Sequence, residues 1–101
     1  MEYTRNENGT ELTVCLEGRL DTVTAPRFEE ELNAALEGVE TLILDLEKLD
    51  YISSAGLRVL LRAEKLMETR GGMKLVRVSE PIMDIFEVTC FSEILFVERE
   101  A

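Results

Sequence analysis

The apolar residues of this 101-residue chain change period along its length, from two to the helical 3.6 and back, and the sequence of periods restricts the chain to alternating strands and helices. After the Asn8-Gly9 pair, Leu12, Val14 and Leu16 alternate with Glu11, Thr13, Cys15 and Glu17, the period of a strand with one buried face. Phe28, Leu32, Ala35 and Leu36 then recur at the spacing of a helix stripe. "TLILDL" (41–46) is the short apolar run of a strand buried on both faces. "AGLRVLLRAEKLMETRGG" (55–72) reads as a second helix and "MKLVRV" (73–78) as a strand. A third helix, opened by Ser79 and Pro81, places Ile82, Ile85, Phe86 and Thr89 on one face, and "EILFVE" (93–98) closes the series as a strand. The order β-β-α-β-α-β-α-β predicts an α/β fold: a mixed, mainly parallel sheet of about five strands, a hairpin at its edge, and three or more packed helices.

Turn and cap residues punctuate the same pattern. Asn8-Gly9 suits the centre of a type I′ hairpin turn, where both residues need positive φ. The polar segment before it fits an edge strand. Thr24 is the expected N-cap of the first helix, Pro26 suits its first turn and Gly38 its C-terminal end. The length fits a single domain over residues 1–101. Apolar residues make up 46% of it, and six aromatics without Trp predict a mostly aliphatic core.

Composition narrows function. The formal net charge of −10 argues against nucleic acid, whose affinity rests on Lys and Arg neutralising phosphates, and favours a basic protein surface as partner. No His is present, which removes the usual neutral-pH general base and His-based metal sites. Cys15 and Cys90 form neither a CxxC pair nor a disulfide framework, which fits a reducing compartment. "MEYTRNENGT" lacks the apolar core of a signal peptide and no run is long enough to span a bilayer, so the expectation is a cytoplasmic protein without membrane contact, cofactor or metal.

The chemistry-bearing stretch is "LDYISSAGLRVLL" (49–61), two serines at a strand-to-helix junction, where open α/β sheets place their sites. Three roles compete. A serine ahead of a helix caps it by accepting from a free first-turn N–H. A nucleophile needs a base; with no His the triad fails, and the G-x-S-x-G elbow is absent too, leaving a Ser–Lys pairing that no spacing supports. A phosphoacceptor suits the positive end of a helix, which tolerates the added charge, so the effect would fall on a docking partner. Along the helix, Arg58, Arg62, Lys65 and Thr69 share a narrow sector opposite Val59, Leu60, Ala63, Leu66 and Met67. Leu57 and Leu61 lie beside Glu64 and Glu68 on the flank, and two readings stand: a solvated basic face on a helix simply packed against the sheet, which is the commoner case, or a half-exposed apolar strip of Leu57 and Leu61 of the kind partners use.

These residues carry a family resemblance over nearly the whole chain. "EGRLDTVTA" resembles the G-x-L-D-x-x-T segment of the bacterial anti-sigma factor antagonists, which are STAS domains. "LILDLEKLDYISSAGLRVLL" resembles their strand, loop and switch-helix signature, and "RGGMKLVRVSEPIMDIFEVTCFSEIL" their remainder. The resemblance implies a non-enzymatic switch. The unphosphorylated antagonist binds an anti-sigma factor that is itself a serine kinase, releasing the sigma factor; phosphorylation ends binding, and a metal-dependent serine phosphatase resets it. With Gly56 as anchor, the phosphoacceptor corresponds to Ser54. Asp21 corresponds to the aspartate near it, with Ser53 and Gly56 as further loop support. Asp21, Thr22, Ser54, Ala55, Leu57, Arg58 and Leu61 correspond to the partner-binding region.

Two departures stand out. Ser53 occupies the position where many members carry Asp, which supplies a second hydroxyl. The chain also ends at Ala101, close after the last expected strand, where some members continue into a helix. The alternative reading is a STAS module serving a transporter or a stress-sensing scaffold, with Ser54 only a cap. A small serine hydrolase is the unrelated alternative.

Overall fold

The computed structural model of the chain describes residues 2–89. Its elements follow the expected order: β1 (Glu2–Asn8), β2 (Glu11–Leu20), α1 (Ala25–Ala35), β3 (Thr41–Ile52), α2 (Ser54–Glu68), β4 (Met73–Val76) and α3 (Glu80–Val88). The four described strands form one sheet in the order β1-β2-β3-β4. β1 runs antiparallel to β2 as an exposed polar edge, while β2–β3 and β3–β4 are parallel. This is the mixed, mainly parallel α/β sheet with a hairpin edge that the period changes predict. The expected strand at 93–98, and the question of what covers it, lie outside the described residues, as does Cys90.

The hairpin turn sits one residue later than its sequence suggests. Asn8 pairs with Glu11, leaving Gly9 and Thr10 as the two turn residues. Gly9 has φ +64°, and Thr10 is not in the left-handed region. Positive φ is thus needed only at the first central position, a II′-like requirement that glycine meets, and Asn8 stays in the ladder.

β3 is twice the length of its apolar run. Its pairing with β2 shifts register twice, between Cys15 and Glu17 and between Gly18 and Arg19. Each shift inserts one extra residue in β3, so Leu46, Leu49 and Ile52 are buried at every third position instead of every second. That is why residues 47–52 carry no alternation. Nor is the 41–46 run buried throughout: Leu42, Leu44, Asp45 and Leu46 are buried, whereas Thr41 and Ile43 are half-buried.

The core is aliphatic with two phenylalanines. Leu12, Leu16 and Leu20 from β2, Leu42, Leu44 and Leu46 from β3, and Leu75 from β4 form it with Phe28, Leu60, Met67 and Phe86 from the helices and Leu36 at the end of α1. α2 packs on β3 and β4, α1 beside α2, and α3 on β3. In α3, Ile82 and Phe86 are buried, Ile85 is half-buried and Thr89 is exposed. Asp45 is the one buried charged residue among those described. Its Oδ2 accepts from Arg77 Nε at 2.9 Å and from Arg77 Nη2, and Arg77 Nη1 reaches Glu47 at 3.3 Å. A buried carboxylate needs such a partner. Arg77 makes the contact from φ +51°, where β4 has ended two residues short of the expected 78.

Candidate functional site

β2 and β3 end together: Leu20 pairs with Ile52, so the turn before α1 and the junction into α2 emerge at the same carboxyl edge of the sheet. A backbone bond joins them directly, Ser53 N–H donating to Leu20 O at 2.9 Å. Gly56 makes the closeness possible. A Cβ there would lie 2.7 Å from Ile52 Cγ1, 2.8 Å from Leu20 O and 2.9 Å from Leu20 Cγ.

The two serines separate. Ser53 is the N-cap of α2 in an extended conformation, half-buried, with its Oγ accepting from Gly56 N–H at 3.4 Å. That distance is long for a hydrogen bond, so the cap is a weak one. Ser54 is the first residue of the helix and is exposed. Its hydroxyl has no hydrogen-bond partner among the described residues, so no base is in contact with it.

Asp21 is held by its own turn. Its Oδ1 accepts from Val23 N–H (3.0 Å) and Thr24 N–H (3.1 Å) and lies 3.2 Å from the Thr24 hydroxyl, whose single proton is shared between it and Arg19 O. Bonding from the Thr24 backbone, joined by that from Val23 and the Thr24 side chain and by the nearby Arg19 charge, holds the Asp21 carboxyl below its ordinary pKa. Thr24 does not cap α1 with its side chain as expected. It sits at the N-cap position but already in helical conformation (φ −91°, ψ −25°), and its Oγ1 turns back, donating to Arg19 O and accepting from Asp21 N–H, both at 2.9 Å. Asp21 therefore organises the turn that Thr24 was expected to close.

Thr22 is exposed, Ala55 half-buried and Arg58 exposed, all close in sequence to the two strand ends. The flank strip is a correction. Leu57 is only 4% exposed and belongs to the core, and Leu61 is half-buried. The buried arc of α2 is centred on Leu60, Ala63 and Met67 and is wide enough to take in Leu57, while Leu66, expected on the packed face, is 38% exposed near the helix end. Arg58, Arg62 and Lys65 are exposed together as the wheel predicts, and Arg62 Nη1 bridges to Glu29 of α1 at 3.0 and 3.1 Å.

Sequence reasoning missed three surface residues here. Val23 stands 85% exposed at the tip of the Asp21 turn. Arg19 lies over the Tyr51 ring, 4.3 Å from its centroid, at the ends of the paired strands. Only the register of β2 on the extended β3 brings Arg19 and Tyr51 together, so no local signal marks them. Among the described residues no group of His, Cys, Asp or Glu is placed to hold a metal ion, and no helix is long and apolar enough to cross a membrane.

Comparison with known proteins agrees with this architecture. The STAS domain family model matches residues 3–100. BtrV of Bordetella bronchiseptica, described as an anti-sigma factor antagonist, is 38% identical over 105 residues, covering 100% of this chain and 90% of that protein. The anti-sigma-B factor antagonist of Bacillus subtilis is 28% identical over 102 residues, covering 100% and 92%. The crystal structure of an anti-sigma factor antagonist from Mycobacterium paratuberculosis shares the fold at a TM-score of 0.87 and 20% identity, over 98% of this chain and 86% of that one. With a family match that runs nearly from end to end and a sheet of the same architecture, this chain belongs to the STAS domain family, and its relatives include anti-sigma factor antagonists.

Proposed function

We propose that this chain is an anti-sigma factor antagonist operating as a phosphorylation switch, with no catalysis of its own. Its unphosphorylated form binds an anti-sigma factor that is also a serine kinase, and the sigma factor is released. The kinase transfers the γ-phosphoryl group of ATP to Ser54 Oγ, the hydroxyl proton leaves, ADP departs and the complex dissociates. A metal-dependent serine phosphatase hydrolyses the ester and returns the hydroxyl.

The observation that carries this reading is the division of labour between the serines. Ser53 Oγ is engaged as the cap, whereas Ser54 presents an exposed hydroxyl, without a hydrogen-bond partner among the described residues, at the positive end of a 15-residue helix. A phosphate there meets the free first-turn N–H groups, so the fold tolerates it and the partner does not. The docking surface comprises Asp21, Thr22, Val23, Ser54, Ala55, Arg58 and the exposed part of Leu61; Leu57 supports it from beneath.

Two measurements test it. Incubation with the cognate anti-sigma kinase and ATP, followed by mass spectrometry, is expected to place one phosphate on Ser54; a protein left unmodified at Ser53 and Ser54 overturns the reading. Ser54→Asp is expected to keep its stability within about 1 kcal/mol while losing kinase binding. Unfolding of that variant would show that the helix terminus does not accept the charge.

A further inference from the structure

We propose that Arg58 is the phosphate-positioning residue of this switch: once Ser54 is phosphorylated, the Arg58 guanidinium closes on the phosphate within α2. The inference rests on the reading of Ser54 as phosphoacceptor and adds how the modified state is held.

Ser54 and Arg58 are four residues apart in one helix, and both are exposed. Side chains at that spacing lie on one face with Cβ atoms about 5–6 Å apart, and each leans toward the helix N-terminus. The longer Arg58 side chain is therefore within reach of Ser54. An anion preceding a cation at this spacing is also the more favourable order.

Competition for Arg58 is already resolved. Glu29 of α1 lines, with Ala25, Ala55 and Arg58, the shallow groove between the two helices. Both Glu29 carboxylate oxygens are taken by Arg62 Nη1, at 3.0 and 3.1 Å. Among the described residues Arg58 has no ion pair. A phosphoserine brings about 1.5 to 2 negative charges at neutral pH and oxygens that a guanidinium matches two at a time. Phosphorylation thus changes the docking surface twice, adding an anion at Ser54 and withdrawing the Arg58 cation from the partner.

The test needs no kinase. Phosphoserine is installed at position 54 during translation of the full chain, and the second ionisation of its phosphate is followed by phosphorus NMR. The Arg58→Gln variant is expected to raise that pKa by about 0.3 units or more, and Arg58→Lys to keep most of the wild-type value. The helix terminus acts equally in all three proteins, so the difference belongs to the side chain. Near 0.5 M salt the gap should shrink, because an exposed pair is screened. Unchanged melting of unmodified Arg58→Gln checks that the exposed substitution leaves the fold intact. Superimposable titrations of wild type and Arg58→Gln overturn the pairing, while the identity of the phosphoacceptor is decided separately by the kinase assay.

Discussion

Two adjacent serines differ here because one backbone bond fixes the first of them. Ser53 N–H is spent on Leu20 O and its hydroxyl turns inward as the cap, so Ser54 is left facing solvent. Val23 shares that surface. A valine 85% exposed contributes nothing to the core, so Val23→Asp is expected to leave the melting temperature unchanged yet weaken binding to the anti-sigma partner at least several-fold by titration calorimetry, since a desolvated charge at an interface is costly. Equal affinity would remove Val23 from the docking surface. Glu64 is a different case. One of its carboxylate oxygens is buried without a hydrogen-bond partner among the described residues, and burial, reinforced by the Glu68 charge, raises its pKa. The folded state then binds more protons than the unfolded one, so this group lowers stability as pH rises from its unfolded value, about 4.3, through its folded value. Glu64→Gln should therefore raise the melting temperature at pH 7, with the gain fading toward pH 4. A gain that persisted undiminished at pH 4 would assign it to some cause other than ionisation.

At the scale of elements, α2 is placed by how closely its first turn approaches two strand ends. Gly56→Ala sets two effects against each other. Alanine recovers at most about 1 kcal/mol of helix propensity. Against this, a Cβ 2.8 Å from Leu20 O meets a backbone atom that also holds the Ser53 link, and overpacking of that kind costs about 1–3 kcal/mol. Net destabilisation of about 1 kcal/mol is expected, read as a fall of about 4–8 °C in a thermal melt. An unchanged or higher melting temperature would mean that the junction can open without cost. The helix itself was legible in its existence, its serine cap and its basic sector, but not in its length: α2 ends at Glu68 with Thr69 as its C-cap, short of the expected Gly71-Gly72 stop. The burial of Leu57 was not, because a helical wheel gives an angular order and the width of the buried arc depends on what the helix rests on. β3 shows the same limit, since its two bulges replace the alternation by which a strand is recognised in sequence.

For the whole molecule, the net charge is −10, and Arg19, Arg58, Arg62 and Lys65 are exposed cations on the strand end and helix of the site. Long-range attraction should therefore favour a basic partner surface, and the association rate with the anti-sigma factor should fall as salt rises from about 0.05 to 0.5 M in stopped-flow mixing. A rate that rose with salt would reverse the sign of that steering. Local pattern alone sets the order of elements, the polar hairpin edge, the aliphatic core and the strand-to-helix junction where Ser53 and Ser54 lie. These follow from periodicity and turn chemistry, which act between residues a few positions apart. Packing sets the rest: the parallel register that brings the Asp21 turn beside the start of α2, the Arg19–Tyr51 stack, the need for glycine at 56, the inward turn of Leu57 and the division between a capping and an exposed serine. The strand register, the Arg19–Tyr51 stack and the contacts of Leu20 with Ser53 and Gly56 join segments some thirty residues apart, and such contacts are set by the packing of one element on another, which no local pattern encodes.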